Sequence, residues 1–397
     1  MPTAGRIARW DHTTVILTAA DPFASSASLR GPTRGLLVAP PPSNAATPRY
    51  GNARPMEPTA ENVSDAATAE VTTPLDAALP LILPFTSLQC KGRTQATSKL
   101  IQESVVVDEL DARPLYAKLG AARATELLPQ LLEKHRLVSL NLEFCRAASI
   151  LDAVAETQHA TLKHLNLNGV PDADPSIVAR LLGNCSRLEV VGLFRHVRLG
   201  DDALAALPST LRELSVSGCS LISDAGVKAL VEHAPHLHFL DATRCPALTD
   251  ASLITLASLK LTGLVCYANA GLSMYGRLRA SHLRRLDCTG SRGVSGDAIA
   301  KIARAASAKL EILNLSWCVA VDDEAPLALG ECCPNLTWLS LHGNRNVTDA
   351  GIDALSRGCL KLTSLDVSGC SQVTDYLRRE GLLVAKFPHV VKWRLHT

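Results

Sequence analysis

At 397 residues the chain is long enough for one to three ordinary domains, but 47% apolar residues with only 4% aromatic points to many similar small layers of Leu, Val, Ala and Cys. Its 40 Lys and Arg against 38 Asp and Glu leave a net charge of +2, which argues against a nucleic-acid or membrane partner and for a protein one. No run approaches the roughly 18 apolar residues of a membrane span, and the opening MPTAGRIARWDHTTVILTAADPF lacks a secretory apolar segment with a cleavage site.

Residues 1–73 are rich in Ala, Pro, Ser and Thr and show no sustained apolar period. They cannot bury enough surface to offset their ordering entropy, and read as a disordered tail. From Pro74 the texture becomes apolar and helical, with Pro84, Pro114 and Pro129 expected to break it into short helices. Residues 74–136 therefore read as a small helical module.

A repeat then runs from Leu137 to the end. Its cores are LVSLNL, LKHLNL, LEVVGL, LRELSV, LHFLDA, LTGLVC, LRRLDC, LEILNL, LTWLSL and LTSLDV, and a truncated copy, VVKWRL, lies at 390–395. First leucines are spaced 22 to 27 residues apart, a solenoid period, and the shorter spacings are expected to trim a helix. Each LxxLxL predicts a short strand with alternate residues inward, stacking with its neighbours as a parallel sheet. After it come Ile222-Ser223-Asp224, Leu248-Thr249-Asp250, Val347-Thr348-Asp349 and Val373-Thr374-Asp375, where Ser or Thr can cap a helix and Asp suits its positive end. The predicted fold is an α/β leucine-rich-repeat solenoid, a horseshoe with a parallel β-sheet on the concave face and helices on the convex face, spanning residues 137–397 in about ten repeats plus the truncated one.

Twelve cysteines without a CxxC pair suggest reduced thiols in cytosol or nucleus rather than disulfides. Cys145, Cys219, Cys245, Cys318 and Cys370 share one turn slot, Cys185, Cys333 and Cys359 a helix-end slot, and Cys266 and Cys288 an inward strand position. Repeat register thus accounts for them without catalysis or metal. No phosphate-binding glycine loop follows any strand, so no cofactor is expected and the chain does not read as an enzyme.

The string LxxLxLxxC followed by x-x-[ILV]-[ST]-D resembles the cysteine-containing leucine-rich repeats of F-box/leucine-rich-repeat proteins, within the ribonuclease-inhibitor-like superfold. In that family an F-box docks a Skp-type adaptor of a cullin-based ubiquitin ligase. LPFTSLQCKGRTQATSKL (83–100) is similar to the F-box run of Leu-Pro, Ser-Leu, Cys, then Ser-Lys, and LDARPLYAKL (110–119) to a later segment. The family's Val-Cys-Lys-x-Trp core is absent, and Ala78-Leu79-Pro80 departs from the opening Leu-Pro-x-Glu. The module at 74–136 is thus either a degenerate F-box, with Leu83, Pro84 and Leu88 facing the adaptor, or a plain cap of the solenoid.

The partner surface expected from the pattern is the concave face, where strand residues between inward leucines line up from repeat to repeat. Phe194, Glu213, Phe239, Asp241, Tyr267, Arg285, Asp287, Trp338, His342 and Asp366 fall there, combining scarce aromatics with charges as binding hot spots do. The competing reading is that a terminal segment covers them or that divergent repeats shift register. Trp317 lies just past its strand, at the rim or in the core. The function this implies is protein recognition, as substrate receptor of a cullin-type ubiquitin ligase or as a non-ligase scaffold in a cytoskeletal or chromatin assembly.

Overall fold

The computed structural model describes residues 108–273, 275–374, 382 and 385–394. The predicted tail (1–73) and the first part of the helical module, with Leu83, Pro84 and Leu88, lie outside these residues.

Twelve strands of three residues pair in chain order into one parallel sheet. They are β1 (Glu109–Asp111), β2 (Ser139–Asn141), β3 (His164–Asn166), β4 (Val190–Gly192), β5 (Glu213–Ser215), β6 (Phe239–Asp241), β7 (Gly263–Val265), β8 (Arg285–Asp287), β9 (Ile312–Asn314), β10 (Trp338–Ser340), β11 (Ser364–Asp366) and β12 (Lys392–Arg394). The central residue of each triplet from β1 to β11 is Leu, or Val191 in β4, and is buried. Flanking leucines such as Leu137 and Leu142, or Leu336 and Leu341, are fully buried too, so each LxxLxL places three apolar side chains into one core. Every strand after Leu137 falls on the triplet its repeat marks, because a one-residue slip would turn the whole apolar set to solvent.

The returning segments are helical: α1 (Arg113–Lys134), α2 (Leu151–Thr157), α3 (Pro175–Asn184), α4 (Asp201–Ala205), α5 (Asp224–His233), α6 (Asp250–Leu256), α7 (Gly296–Ala306), α8 (Glu324–Cys332) and α9 (Asp349–Gly358). Repeat length sets helix length. The 26- and 27-residue spacings from Leu162, Leu211, Leu283, Leu310 and Leu336 carry helices of 9 to 11 residues. The 24-residue spacing carries 7, the 23-residue spacing 5, and the 22-residue spacing from Leu261 only two 3₁₀ turns, at Tyr275–Arg277 and Ala280–His282. In that gap the fully buried Tyr275 ring fills the missing helix's place, its hydroxyl 3.2 Å from Ser291 Oγ.

The Ser/Thr-Asp pairs do more than cap. Ser223, Thr249 and Thr348 accept the amides of Ala225, Ala251 and Ala350 in their own helices. The Asp of one repeat then takes the amide and hydroxyl of the next repeat's cap: Asp224 from Thr249 (2.9 and 2.5 Å), Asp323 from Thr348 (2.8 and 2.5 Å), and Asp201 from Ser223 (2.8 and 2.7 Å). Gly226 follows the Asp because a Cβ there would collide with the Asp201 carboxylate of the repeat before.

The parallel sheet includes a strand before the repeat boundary expected at 137: β1 pairs with β2 in full register, and Leu110 and Ala112 are both buried. The sequence motif is obscured there because Ala112 stands where most other repeats have Leu, Val or Cys and no leucine repeat precedes it. Two expected breaks also move: Pro114 sits in the first turn of α1, where its missing N–H costs nothing, and Pro129 lies within that helix, whose discontinuity falls at Gly120 (φ 76°). Strands repeat every 4.7–4.9 Å or so while packed helices need about 8–10 Å. Stacking both in step bends the solenoid toward the sheet, which is the concave side.

Candidate functional site

The outward side chains form three columns on the sheet face. The first residue of each strand contributes one column, half-buried between its neighbours along most of its length. At its centre Phe239 of β6 and Arg285 of β8 meet across β7, with the guanidinium 5.6 Å from the ring centroid. They meet because β7 offers Gly263 at that point: a Cβ there would lie 2.5 Å from Phe239 Cδ2. Burial lowers the Arg285 pKa, with Asp287 and Asp241 pulling the other way, and its Nε has no hydrogen-bond partner among the described residues. Glu213 stands beside Phe239 on β5, and Trp338 pairs in register with Ile312 and Ser364 on either side.

The second column is structural. Asn141, Asn166, Asp241, Asp287, Asn314 and Asp366 each accept, through Oδ1, the amide two residues on, at 2.9–3.1 Å, in a turn that ends the strand. Asp287 must therefore be removed from the expected partner surface. It is 6% exposed, its carboxylate takes Thr289 N–H, Thr289 Oγ1 and Asn314 Nδ2, and burial raises its pKa. Asp241 and Asp366 are partly buried, the Asp366 side chain being 14% exposed, and Asp241 also accepts the Ser215 hydroxyl at 3.1 Å.

In the third column Phe194, Tyr267 and His342 each lie against a residue that sequence reasoning left out or left unplaced. Phe144 meets Phe194 edge-on (centroids 6.4 Å apart), Arg195 lies 5.9 Å from the same ring, Arg244 lies 5.4 Å from Tyr267, and Trp317 meets His342 edge-on at 4.7 Å. Trp317 is thus a rim residue, 50% exposed. Phe144, Arg195, Arg244 and Trp317 share one slot, the residue before the cysteine position, and all have left-handed backbone with φ of 53–64°. Ala268 holds the same slot at φ 58°, and Gly169, Gly218, Gly290, Gly343 and Gly369 hold it elsewhere, with φ of 63–76°. The signal was available, since a Gly column interrupted by Phe, Arg and Trp is visible once the repeats are aligned.

The remaining nine expected residues fall into three groups along the sheet: Phe194 near β4; Glu213, Phe239, Asp241, Tyr267 and Arg285 across β5–β8; and Trp338, His342 and Asp366 across β10–β11. The cysteine slot below them is a donor slot. Cys219, Cys245, Cys318 and Cys370 direct Sγ at the carbonyls of Leu193, Val216, Cys288 and Leu341, at 3.1–3.3 Å. Where the slot holds His or Asn the bond persists: His196 Nε2 to Leu167 O (2.8 Å), Asn269 Nδ2 to Ala242 O (2.7 Å) and Asn344 Nδ2 to Leu315 O (3.0 Å). Burial pushes the thiols of Cys145, Cys185, Cys219, Cys245, Cys333, Cys359 and Cys370 up to about 12, where almost no nucleophilic thiolate exists at neutral pH. Among the described residues no group of three or more His, Cys, Asp or Glu is placed to hold a metal ion. The arrangement offers a rigid surface of aromatic faces and guanidinium groups for contact with another molecule.

A family model described as Leucine Rich repeat matches residues 208–231. Among curated proteins, the chain is 28% identical over 287 residues to Antagonist of mitotic exit network protein 1 of Eremothecium gossypii, covering 70% of this chain and 66% of that one. It is 25% identical over 179 residues to DNA repair protein rhp7 of Schizosaccharomyces pombe (43% and 31%), and 32% identical over 92 residues to F-box/LRR-repeat protein 12 of Arabidopsis thaliana (23% and 22%). The chain therefore spans less than two thirds of each of these relatives. Among solved structures, the Rad7–Elc1 complex of yeast is similar at a TM-score of 0.47 and 23% identity, over 63% of this chain and 74% of that one. An internalin of Listeria monocytogenes is similar at 0.42 and 18%, over 75% and 98%. With twelve stacked strands among the described residues, a buried leucine lattice and a cysteine donor slot, the chain has the leucine-rich-repeat fold, and its cysteine-containing repeats are similar to those of an F-box/LRR-repeat protein.

Proposed function

We propose that this chain is a protein-recognition subunit that presents a substrate to a cullin-type ubiquitin ligase. The observation that carries the recognition step is the central strip of Glu213, Phe239, Asp241, Tyr267 and Arg285. There an aromatic ring is held against a partly desolvated guanidinium among the outward residues of the sheet. Such anchors concentrate binding energy because truncating them leaves a desolvated partner group unpaired. The ligase step draws on the likeness to an F-box/LRR-repeat protein and on the F-box-like run at 83–100, where Leu83, Pro84 and Leu88 would face a Skp-type adaptor. The chain itself would position substrate, with the chemistry done by other subunits, in cytosol or nucleus and without a cofactor.

A second reading, a scaffold without a ligase, is favoured by one observation. Residues 110–119, part of the F-box-like resemblance, form most of β1 and the start of α1, a coil that pairs with the repeat sheet, so any adaptor-binding module is confined to the segment before them. Pull-down of a Skp-type adaptor by the full chain, with Leu83, Pro84 and Leu88 changed to Ala as control, separates the two. Adaptor in the wild-type eluate and not in the control supports the receptor; none in the wild-type eluate leaves the scaffold.

A further inference from the structure

The loops leaving the C-terminal ends of the strands make a rim distinct from the sheet face, and their charge is one-sided. Arg146, Arg195, Arg198, Arg244, Arg292 and Arg345 are all exposed there. Among the described residues none of the six lies within ion-pair distance of a carboxylate. No lysine occurs in these loops, and their acidic residues are mostly in use. Glu143 is paired with Arg113, Asp174 and Asp322 cap the starts of α3 and α8, and Asp323 holds Thr348; Asp172 is the exception. Against a whole-chain charge of +2, this is a local concentration of guanidinium groups.

Their placement is periodic. The arginines lie on the loops after β2, β4, β6, β8 and β10, every second coil, so neighbours stand about 9–10 Å apart along the sheet. A peptide in the extended polyproline II conformation advances about 3.1 Å per residue with about three residues per turn, so every third side chain faces the same way and meets the next arginine about 9 Å on. Between them the rim exposes apolar surface: Phe144, Val197, Leu221, Trp317 and Val319 make up five of the nine large hydrophobic residues most exposed among those described. Around Phe144, Val197, Arg195 and Arg198 the surface sinks into a cleft of about 380 Å³ floored by Gly169 and Val170.

At the left-handed slot five repeats carry Gly, which adopts φ > 0 freely, while Phe144, Arg195, Arg244, Ala268 and Trp317 hold it against their own steric preference. Arg195 and Arg244 lie against the Phe194 and Tyr267 rings, which fixes where their guanidinium groups stand on the rim while leaving them exposed.

We propose that this rim binds an extended acidic segment of a partner protein, its carboxylates on the arginine ladder and its apolar side chains against Phe144, Val197 and Trp317. Guanidinium groups in place of lysines suit bidentate capture of carboxylates. The exposed aliphatic residues favour a peptide over a nucleic acid. This inference rests only on the chain's recognising protein, and holds for a ligase subunit or a scaffold.

The test uses the full chain and a fluorescein-labelled peptide of Glu-Leu-Ser repeats. Changing Arg195 and Arg244 to Glu should weaken its binding about tenfold or more, a loss of about 1.4 kcal/mol per factor of ten. The same charge change on the helices, Arg304→Glu with Arg357→Glu, should weaken it little; equal loss in both would mean a net-charge effect and overturn the proposal. Changing Arg195 and Arg244 to Gly should weaken binding while raising the melting temperature, which excludes misfolding as the cause. Unchanged binding in the Gly variant, or tighter binding of a labelled oligothymidylate than of the peptide, would overturn it as well. The adaptor pull-down is independent of each of these outcomes.

Discussion

Asn269 shows how much rests on a single slot. It is fully buried, its Nδ2 satisfies the Ala242 carbonyl and its Oδ1 takes the Cys245 amide at 2.8 Å, so it joins two repeats by both ends of one amide. Changing it to Ala strands two buried backbone groups and should cost about 2–4 kcal/mol, measurable by urea denaturation. A cost below about 1 kcal/mol would show that water replaces the side chain. His196 fills the same slot with a titratable ring, and burial holds its pKa below the ordinary 6.5. The folded state thus resists protonation that the unfolded chain accepts near 6.5, so stability falls as pH drops below that value and levels off under the lowered folded pKa. His164 and His135 are shifted the same way by burial. His196→Asn keeps a donor to Leu167 O, as Asn269 and Asn344 do in their repeats, and should flatten part of the pH dependence of the melting temperature. Ala268, exposed with φ 58° in the left-handed slot, provides a clean measure of backbone strain. Ala268→Gly should stabilise the fold by about 0.5–1 kcal/mol, the steric relief exceeding the added unfolded-state entropy.

At the scale of elements, the helices are fitted to one another as closely as the strands. Between α8 and α9 the approach is so tight that a Cβ on Gly358 would overlap the Gly330 carbonyl, and one on Gly330 the Ala354 carbonyl. Gly358→Ala has only backbone to push against and should cost about 1–3 kcal/mol or more, whereas Gly200→Ala, with nothing within 4 Å of its Cβ, should leave the melting curve nearly unchanged. These glycines were not singled out in the sequence, because in a single repeat they look like ordinary poor helix formers. Their reason lies in the neighbouring helix. The same holds for Gly263, whose missing side chain lets Phe239 and Arg285 meet two strands apart.

Across the whole molecule, near-neutral net charge conceals a division of labour. Aspartates at the helix starts are engaged in repeat-to-repeat bonds, whereas the arginines of the rim are exposed. A field built from such a strip steers an acidic partner at a distance. Raising ionic strength from about 0.1 to about 1 M shortens the Debye length from about 10 to about 3 Å, and should slow association measured by stopped flow much more than it speeds dissociation. An association rate indifferent to salt would mean that the rim plays no part in encounter.

The repeat pattern alone placed eleven of the twelve strands, the helices that follow most of them and the cysteine slot, because a period of two within a strand and about 26 between strands leaves one register that buries every leucine. Strand β1 escaped because Ala112 stands where most repeats end on a larger apolar residue. Which outward residues can meet a partner was decided only in three dimensions. Asp287 and Glu213 occupy outward positions alike, yet one is sealed by Thr289 and Asn314 while the other stays half-exposed beside Phe239. The pattern specifies the face on which a side chain lies; how far that side chain is exposed depends on what the coils before and after it place around it.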